Sequence, residues 1–394
     1  FMKRSIKDLV NIEGKRILLS ADFNLPKDKV GRFTDTTRLI SELPTIRFLV
    51  ERGAKVIICS HLGRPNGFDF RLSLWPIALM LMKYFPGKVQ FAHKVVGDEV
   101  KEQVASLSNG SILLLENVRF YKEETENDPT FAKQLASLAD IYVNDAFGVA
   151  HRKHASTYGV ARLLPNAIGF LVENEINLIT NALENPKSPF VAIFGGAKVE
   201  DKIKAILNIL KTADTVLIGG AMAYSFMMAR GQTIGRSFSS MESVKTADEI
   251  LGEAQRMGKR ILLPIDHVAY NYGDKKQRAF VTETLSGEMV GSDIGPQTVK
   301  VFENEIENAK QVIWNGPLGK YEDDKFKKGT FEIAKAIGHS NAYSIVGGGD
   351  SVSAVKQAHC LSLINHVSTG GGATLKLLEG GELPGIEVIQ EKYI

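Results

Sequence analysis

Short apolar runs recur along the chain, separated by longer stretches in which apolar residues return every three or four positions. In the first half the runs fall at residues 16–21, 55–60, 111–116 and 141–145. In the second half they fall at 190–196, 215–220, 260–266, 311–316 and 343–349. Each run is apolar on both faces, as a strand is when helices cover both sides of its sheet. The stretches between them, such as 36–51, 199–210 and 244–256, carry the helical period. This alternation predicts an α/β fold of two doubly wound, Rossmann-like parallel sheets. Residues 171–183 (LVENEINLITNAL) have helical period but follow no strand, and NPKSP at 185–189 breaks the chain. We therefore expect an N-terminal domain over 2–170, a connecting helix and hinge over 171–189, and a second domain over 190–370.

Length supports that division, because 394 residues exceed one ordinary hydrophobic core. No apolar run reaches membrane-span length, and the first residues lack a signal-peptide core. Cys59 and Cys360 suggest neither a disulfide framework nor metal-ligand spacing. A cytoplasmic protein with reduced thiols, away from membranes, is expected. The net charge of +3 says little as a total, but residues 1–170 are net positive and the remainder net negative. An anionic ligand is thus expected to meet the first half.

The chemistry lies at the ends of the predicted strands, where doubly wound sheets bind their ligands. The first four runs lead into ADFNLP, HLGRP, ENVRF and NDAFGVAHRKH, and TDTTR follows the first of them. These segments supply Asp22, Asn24, Arg38, His61, Arg64, Arg119, His151 and Arg152. Any one arginine has a bland reading as a helix cap or a surface ion pair. Four at the strand ends of one sheet point instead to a pocket for carboxylate or phosphate. No aromatic stacking platform accompanies them, which argues against nucleic acid.

The second half places glycine at its strand ends: GGAKVEDK, GGAMA, WNGPLGKYE, GGGDS and STGGGATL. Glycine lets backbone N–H groups approach a phosphate, and a helix starting there adds its dipole. Lys198 and Lys202 are four apart, which would set both ammoniums on one face over a helix start. Asp350 follows GGG, placed either to face Mg²⁺ or to cap a helix. The chain lacks GxxxxGK[ST], lacks GxGxxG after its first strand, and lacks the HRD and DFG elements of protein kinases.

The ordered set ADFNLP, TDTTR, HLGRP, ENVRF, DAFGVAHR, GGAKVEDK, WNGPLG, GGGDS and STGGGATL resembles the phosphoglycerate kinase family, from about Ile17 to Gly385. The resemblance implies two domains with a cleft between them, and a tail over 371–394 that returns to the first. It implies a site for 3-phosphoglycerate or 1,3-bisphosphoglycerate on Asp22, Phe23, Asn24, Arg38, His61, Leu62, Gly63, Arg64, Arg119, His151 and Arg152. It implies an ATP/ADP site on Lys198, Lys202, Gly291, Asn315, Pro317, Glu322, Gly348, Gly349, Asp350 and Ser351. Glu322 would hold the ribose, and Asp350 would meet Mg²⁺ at the phosphate end. Arg38, Lys198 and the backbone of Gly371 and Gly372 would steady the transferring phosphoryl group in a monomeric, hinge-closing kinase. The acceptor is a carboxylate, already ionised at neutral pH, so no general base is required. The chain departs from the family pattern at Ser20, where arginine is usual, which would cost the basic patch one peripheral charge. It departs again at Lys320–Tyr321, where Val-Phe is usual, and its DHVAYNY segment (266–272) matches loosely.

Overall fold

Each apolar run contains a strand in the computed structural model, which describes residues 3–392. In the first half β1 (Arg16–Ser20), β2 (Lys55–Cys59), β3 (Val89–Phe91), β4 (Ile112–Leu114), β5 (Ile141–Asn144) and β6 (Asn166–Ile168) form one sheet. All its pairings are parallel, in the order β3-β4-β2-β1-β5-β6. The second half contributes β7 (Phe190–Phe194), β8 (Thr215–Ile218), β9 (Arg260–Leu262), β10 (His267–Asn271), β11 (Phe280–Thr282), β12 (Met289–Ile294), β13 (Gln311–Asn315), β14 (Tyr343–Gly347) and β15 (His366–Val367). Six of these make a parallel sheet in the order β15-β14-β13-β7-β8-β9.

The remaining three form an antiparallel sheet, β11-β10-β12, that the run pattern does not anticipate. The reason is local. β10 alternates buried and half-buried positions, and no residue of β11 is fully buried, so neither reads as a continuous apolar run. The short strands β3, β6 and β15 escape the same pattern because two or three apolar or mixed residues make no period.

The chain divides into two compact units. One extends up to Asn177 and takes in the chain again from Glu382; the other is Leu178–Gly381. The division falls inside the helix Phe170–Glu184. Residues 371–381, expected in the returning tail, stay with the second unit. There the helix Gly372–Leu378 lies against the helix Ile203–Leu210, and Asn208 Nδ2 donates to the Leu378 carbonyl at 2.9 Å. The return begins at Glu382. Asn144 Nδ2 donates to Gly385 O at 2.9 Å, and the Gln390 amide donates to Asn166 Oδ1 at 2.7 Å.

Each unit buries both faces of its parallel sheet. In the first, Ile17, Leu19, Ile58 and Leu114 pack with Leu39, Ile46 and Leu49 of the helix Thr37–Glu51. In the second, Val191, Ile193, Val312 and Trp314 pack with Phe302, Ile333 and Ile337. One acidic pair interrupts the first interior. Glu42 is 1% exposed and Asp145 wholly buried, at the end of β5. Asp145 Oδ1 accepts the Val172 amide at 3.0 Å, while the buried Asp145 Oδ2 and Glu42 Oε1 have no hydrogen-bond partner.

Strand order locates the ligand crevices. In the first sheet the winding reverses between β1 and β5; in the second it reverses between β7 and β13. Open α/β sheets bind ligands outside the carboxyl ends of strands at such reversals.

Candidate active site

Most of the arginines and histidines expected from the sequence gather at the carboxyl end of the first sheet. β1 runs into Asp22–Asn24, whose turn closes on itself as the Asn24 amide donates to Asp22 Oδ1 at 3.1 Å. Asn24 Oδ1 accepts the Gly63 amide at 2.9 Å, which joins the loop after β1 to the loop after β2. Arg38, in the first turn of the helix Thr37–Glu51, donates to Asn24 O at 2.9 Å and lies 3.6 Å from Asp22 Oδ1. Asn117, after β4, bonds both the amide and the carbonyl of Leu62 and also accepts the Arg119 amide at 3.0 Å. Arg119 Nη1 reaches Gly63 O at 3.4 Å, yet its buried Nε has no partner. Phe23 and Leu62 enter the core, so only their backbones serve this edge.

Charge at this edge is unbalanced. His61 is 7% exposed, and its imidazole is pushed down to about 3 by burial and then by Arg119, Arg38, His154 and Arg152. His154 is pushed down to about 4 by burial, Arg119, Arg152 and His151. His151 is lowered by burial and Arg152, and its buried Nδ1 has no hydrogen-bond partner. Asp22 is raised by burial in spite of Arg38, so desolvation outweighs its ion pair. Burial first, and the charge of the surrounding arginines second, thus disfavour the protonated form of all three histidines. An arriving anion would offset that arginine charge.

His154 is the contributor that sequence reasoning passed over. It lies three residues after His151 in the same HRKH segment, and only folding shows it buried against Arg119. Ser20 takes a different place from the expected one. It is 1% exposed, accepts or donates at 3.3 Å with Cys59 Sγ, and donates to Ser156 O at 2.5 Å. The position belongs to the interior under the sheet edge and not to the rim of the basic patch.

The second unit presents backbone where the first presents side chains. At the β7/β13 reversal the Gly195 amide donates to Asn315 O and the Gly196 amide to Pro317 O, at 3.1 and 3.0 Å. The loops are so close that a Cβ on Gly195 would stand 2.0 Å from the Pro317 carbonyl, which only glycine permits. The Gly316 amide donates to Ser351 Oγ at 2.6 Å, which fastens the helix Gly349–Gln357 to the end of β13. Gly348 caps that helix with φ 91°, so Asp350 lies in its first turn and not at its cap. Gly371 starts the helix Gly372–Leu378, and Ser368 Oγ meets Thr374 Oγ1 at 2.5 Å across that turn. Gly291 lies on β12 against Tyr224, and its amide donates to Ser237 Oγ at 2.9 Å. The antiparallel sheet also supports the turn carrying Glu322, because the Lys320 amide donates to Ser292 O at 2.9 Å. Glu322 itself is exposed.

The two lysines do not share a helical face. A 3₁₀ turn, Val199–Asp201, separates them, and the α-helix starts only at Ile203. Lys198 stays exposed ahead of the turn. Lys202 turns inward, its Nζ donating to Asn315 Oδ1 at 2.5 Å and to Asn315 O at 3.2 Å. Burial pushes its ammonium down to about 8, against the pull of Asp350 and Asp201.

Among the described residues no three His, Cys, Asp or Glu side chains gather as a cage for a metal ion. The exposed carboxylate of Asp350 stands beside glycine amides and Lys202, with Asp201 also acting on Lys202. That donor set suits Mg²⁺ carried by nucleotide phosphates, which takes one or two carboxylates and keeps several waters.

Side-chain charge for one anion and backbone amides for another, each at a strand reversal, define a two-unit α/β phosphotransferase. The family model for phosphoglycerate kinase matches residues 6–381. Phosphoglycerate kinase of Clostridium tetani is 46% identical over 398 residues, covering 100% of this chain and 99% of the relative. That of Finegoldia magna is 47% identical over 395 residues, covering 99% and 100%. The solved structure of phosphoglycerate kinase from Coxiella burnetii superposes with TM-score 0.87 at 35% identity, covering 98% of each chain. The one from Pyrococcus horikoshii OT3 gives 0.83 at 33% identity, covering 99% and 100%. The chain belongs to the phosphoglycerate kinase family, and it is a kinase that transfers a phosphoryl group. Among the described residues no helix is long and apolar enough to cross a membrane.

Proposed function

We propose that the first unit binds 3-phosphoglycerate or 1,3-bisphosphoglycerate and the second binds ATP or ADP with Mg²⁺. The observation that carries this reading is the gathering of Arg38, Arg119 and Arg152 with His61, His151 and His154 at the carboxyl end of the first sheet. Such excess positive charge, with an orphaned Arg119 Nε, suits a small multiply charged acid. Asp22 and Asn24 brace Arg38 and Gly63, while Arg64 and Arg152 remain exposed to receive ligand oxygens.

In the second unit, the amides near Gly195, Gly348 and Gly349 suit polyphosphate, and Lys202, held by Asn315, adds a cation. Pro317 shapes that loop, Gly291 lets the Tyr224 ring pack against its backbone, and Glu322 holds the ribose. Asp350 and Ser351 lie at the helix start, with Asp350 facing the metal–phosphate end. Mg²⁺, when bound, neutralises phosphate charge and holds the phosphate oxygens in one geometry. The carboxylate acceptor needs no base, so the protein's work is alignment and charge neutralisation. Arg38 and Lys198 take the equatorial oxygens of the moving group, helped by the Gly371 and Gly372 backbone.

The decisive assay is ATP consumption by the purified chain with 3-phosphoglycerate and Mg²⁺. Consumption is expected to require all three, with acetate failing as acceptor and NADH unchanged. Turnover independent of 3-phosphoglycerate overturns the reading. Transfer also requires the two ligands to meet, so closure is expected about hinges at 171–183 and 368–378. Small-angle X-ray scattering should show a smaller radius of gyration with both ligands than with either, and an unchanged radius argues against closure.

A further inference from the structure

Tyr321 brings a hydroxyl to the second unit's nucleotide-side turn, and that hydroxyl has a definite partner. The ring is 6% exposed and packs in the second unit's core. Its hydroxyl lies 3.2 Å from Asp350 Oδ1. Ser353, one turn further along the same helix, lies close enough to that hydroxyl to favour its ionised form. An ionised carboxylate only accepts, so the phenol must donate to Asp350. A relay thus runs from the Tyr321 hydroxyl to one oxygen of Asp350.

The backbone on either side of the relay is also held. The Tyr321 amide donates to Gly319 O at 2.9 Å, closing the turn that precedes Glu322. Ser351 Oγ accepts the Gly316 amide at 2.6 Å, which fixes the helix start beneath Asp350. Without the phenol, an exposed aspartate in a first helical turn would sample several rotamers. With it, one oxygen is engaged and the other is left for a cation. Groups that orient a metal's ligands in this way change metal affinity without touching the metal.

We infer that Tyr321 is a positioning residue, which presents Asp350 to the metal carried by the nucleotide as a single-oxygen ligand. This rests on the reading that Asp350 faces the metal–phosphate end. The turn holding Tyr321 leads directly into Glu322, so one side chain couples the ribose end of the nucleotide site to its metal end.

The test uses the full chain saturated with ADP and Mn²⁺ as a paramagnetic probe, with bound and free Mn²⁺ resolved by electron paramagnetic resonance. Tyr321→Phe keeps the ring and removes only the hydroxyl. It is expected to weaken Mn²⁺ binding to the protein–ADP complex about tenfold, within the range for second partners of metal ligands. Metal-free ADP affinity by calorimetry should stay within about twofold, since the phenol does not face the nucleotide in this account. Asp350→Asn serves as the reference and should lose at least as much as Tyr321→Phe. If Asp350→Asn weakens Mn²⁺ and Tyr321→Phe does not, the inference fails while the Asp350 reading stands. If neither does, the Asp350 reading itself fails. Equal loss of metal-free ADP and Mn²⁺ binding in Tyr321→Phe would make the residue a packing element and overturn the proposal.

Discussion

Arg38→Ala is expected to lower turnover by roughly 10²–10³-fold with both substrates saturating, the scale for losing one preorganised charge or donor at a developing charge. The argument starts from how Arg38 is held. Its guanidinium rests on the Asn24 carbonyl and near Asp22, so it is positioned before any ligand arrives. Asn24 in turn holds the Gly63 amide, which links Arg38 to the loop after β2. In the proposed site Arg119, Arg152 and Arg64 would still attract the acid as a whole, because the substitution leaves them in place. Binding should therefore suffer less than turnover. The Michaelis constant for 3-phosphoglycerate is expected to change less than about tenfold, as for an interaction made chiefly in the transition state. Arg38→Lys should recover only part of the activity, because an ammonium cannot make the planar two-point contact. Steady-state kinetics on the three proteins decide the matter. Near-normal turnover in Arg38→Ala would remove Arg38 from the transfer step.

The second large effect concerns stability. Glu42 lies one turn beyond Arg38 on the same helix and meets Asp145 in the interior. Burial raises the Glu42 carboxyl well above the usual carboxylate range, followed by the charge of Asp145 and a hydrogen bond to it. Asp145 is raised by burial as well, with the Glu42 contact opposing that rise. A proton kept on Glu42 lets it donate to Asp145, which supplies hydrogen bonding to a pair whose Glu42 Oε1 and Asp145 Oδ2 otherwise have no partner. The folded state thus binds a proton that the unfolded chain releases near pH 4.5. Its stabilising contribution is complete below that pH and is lost as pH rises through the folded value.

Glu42→Gln replaces the shared proton by an amide that donates at every pH. Urea-unfolding midpoints measured between pH 5 and pH 9 should therefore fall less steeply for Glu42→Gln than for the parent chain. Glu42→Ala, which leaves the wholly buried Asp145 without that donor, should cost about 3–5 kcal/mol, the scale for breaking a buried pair. Parallel pH profiles for Glu42→Gln and the parent would refute the shared proton. Because the pair ties the helix of Arg38 to the end of β5, destabilising it should also loosen the first half-site.

Legibility of the sequence differed between the two kinds of feature. Strands buried on both faces announced themselves, since β1, β2, β7 and β13 are continuous apolar runs. β10 and β11 did not, because a half-buried strand carries mixed residues over too few positions. Candidate residues in ordered motifs could be named by type, and most of the first-half arginines and histidines gather at one sheet edge. Their environments were not legible. Lys202 was expected beside Lys198 over a helix start, and the 3₁₀ turn sends it to Asn315 instead. Ser20 was expected at the patch rim and lies in the interior.

By itself the sequence determined the α/β class, the two series of strands, the arginine-rich and glycine-rich strand ends, and through their order the family. These properties are local: period, composition and motif need only neighbouring residues. Tertiary structure alone decided the strand order that sets both reversals, the start of the returning tail at Glu382, and the antiparallel sheet under the Lys320–Glu322 turn. It also decided the neutral state of His61 and His154, the proton between Glu42 and Asp145, and the bond from Tyr321 to Asp350. Each depends on residues far apart in the chain and on burial, which weakens solvent screening and turns ordinary side chains into coupled groups.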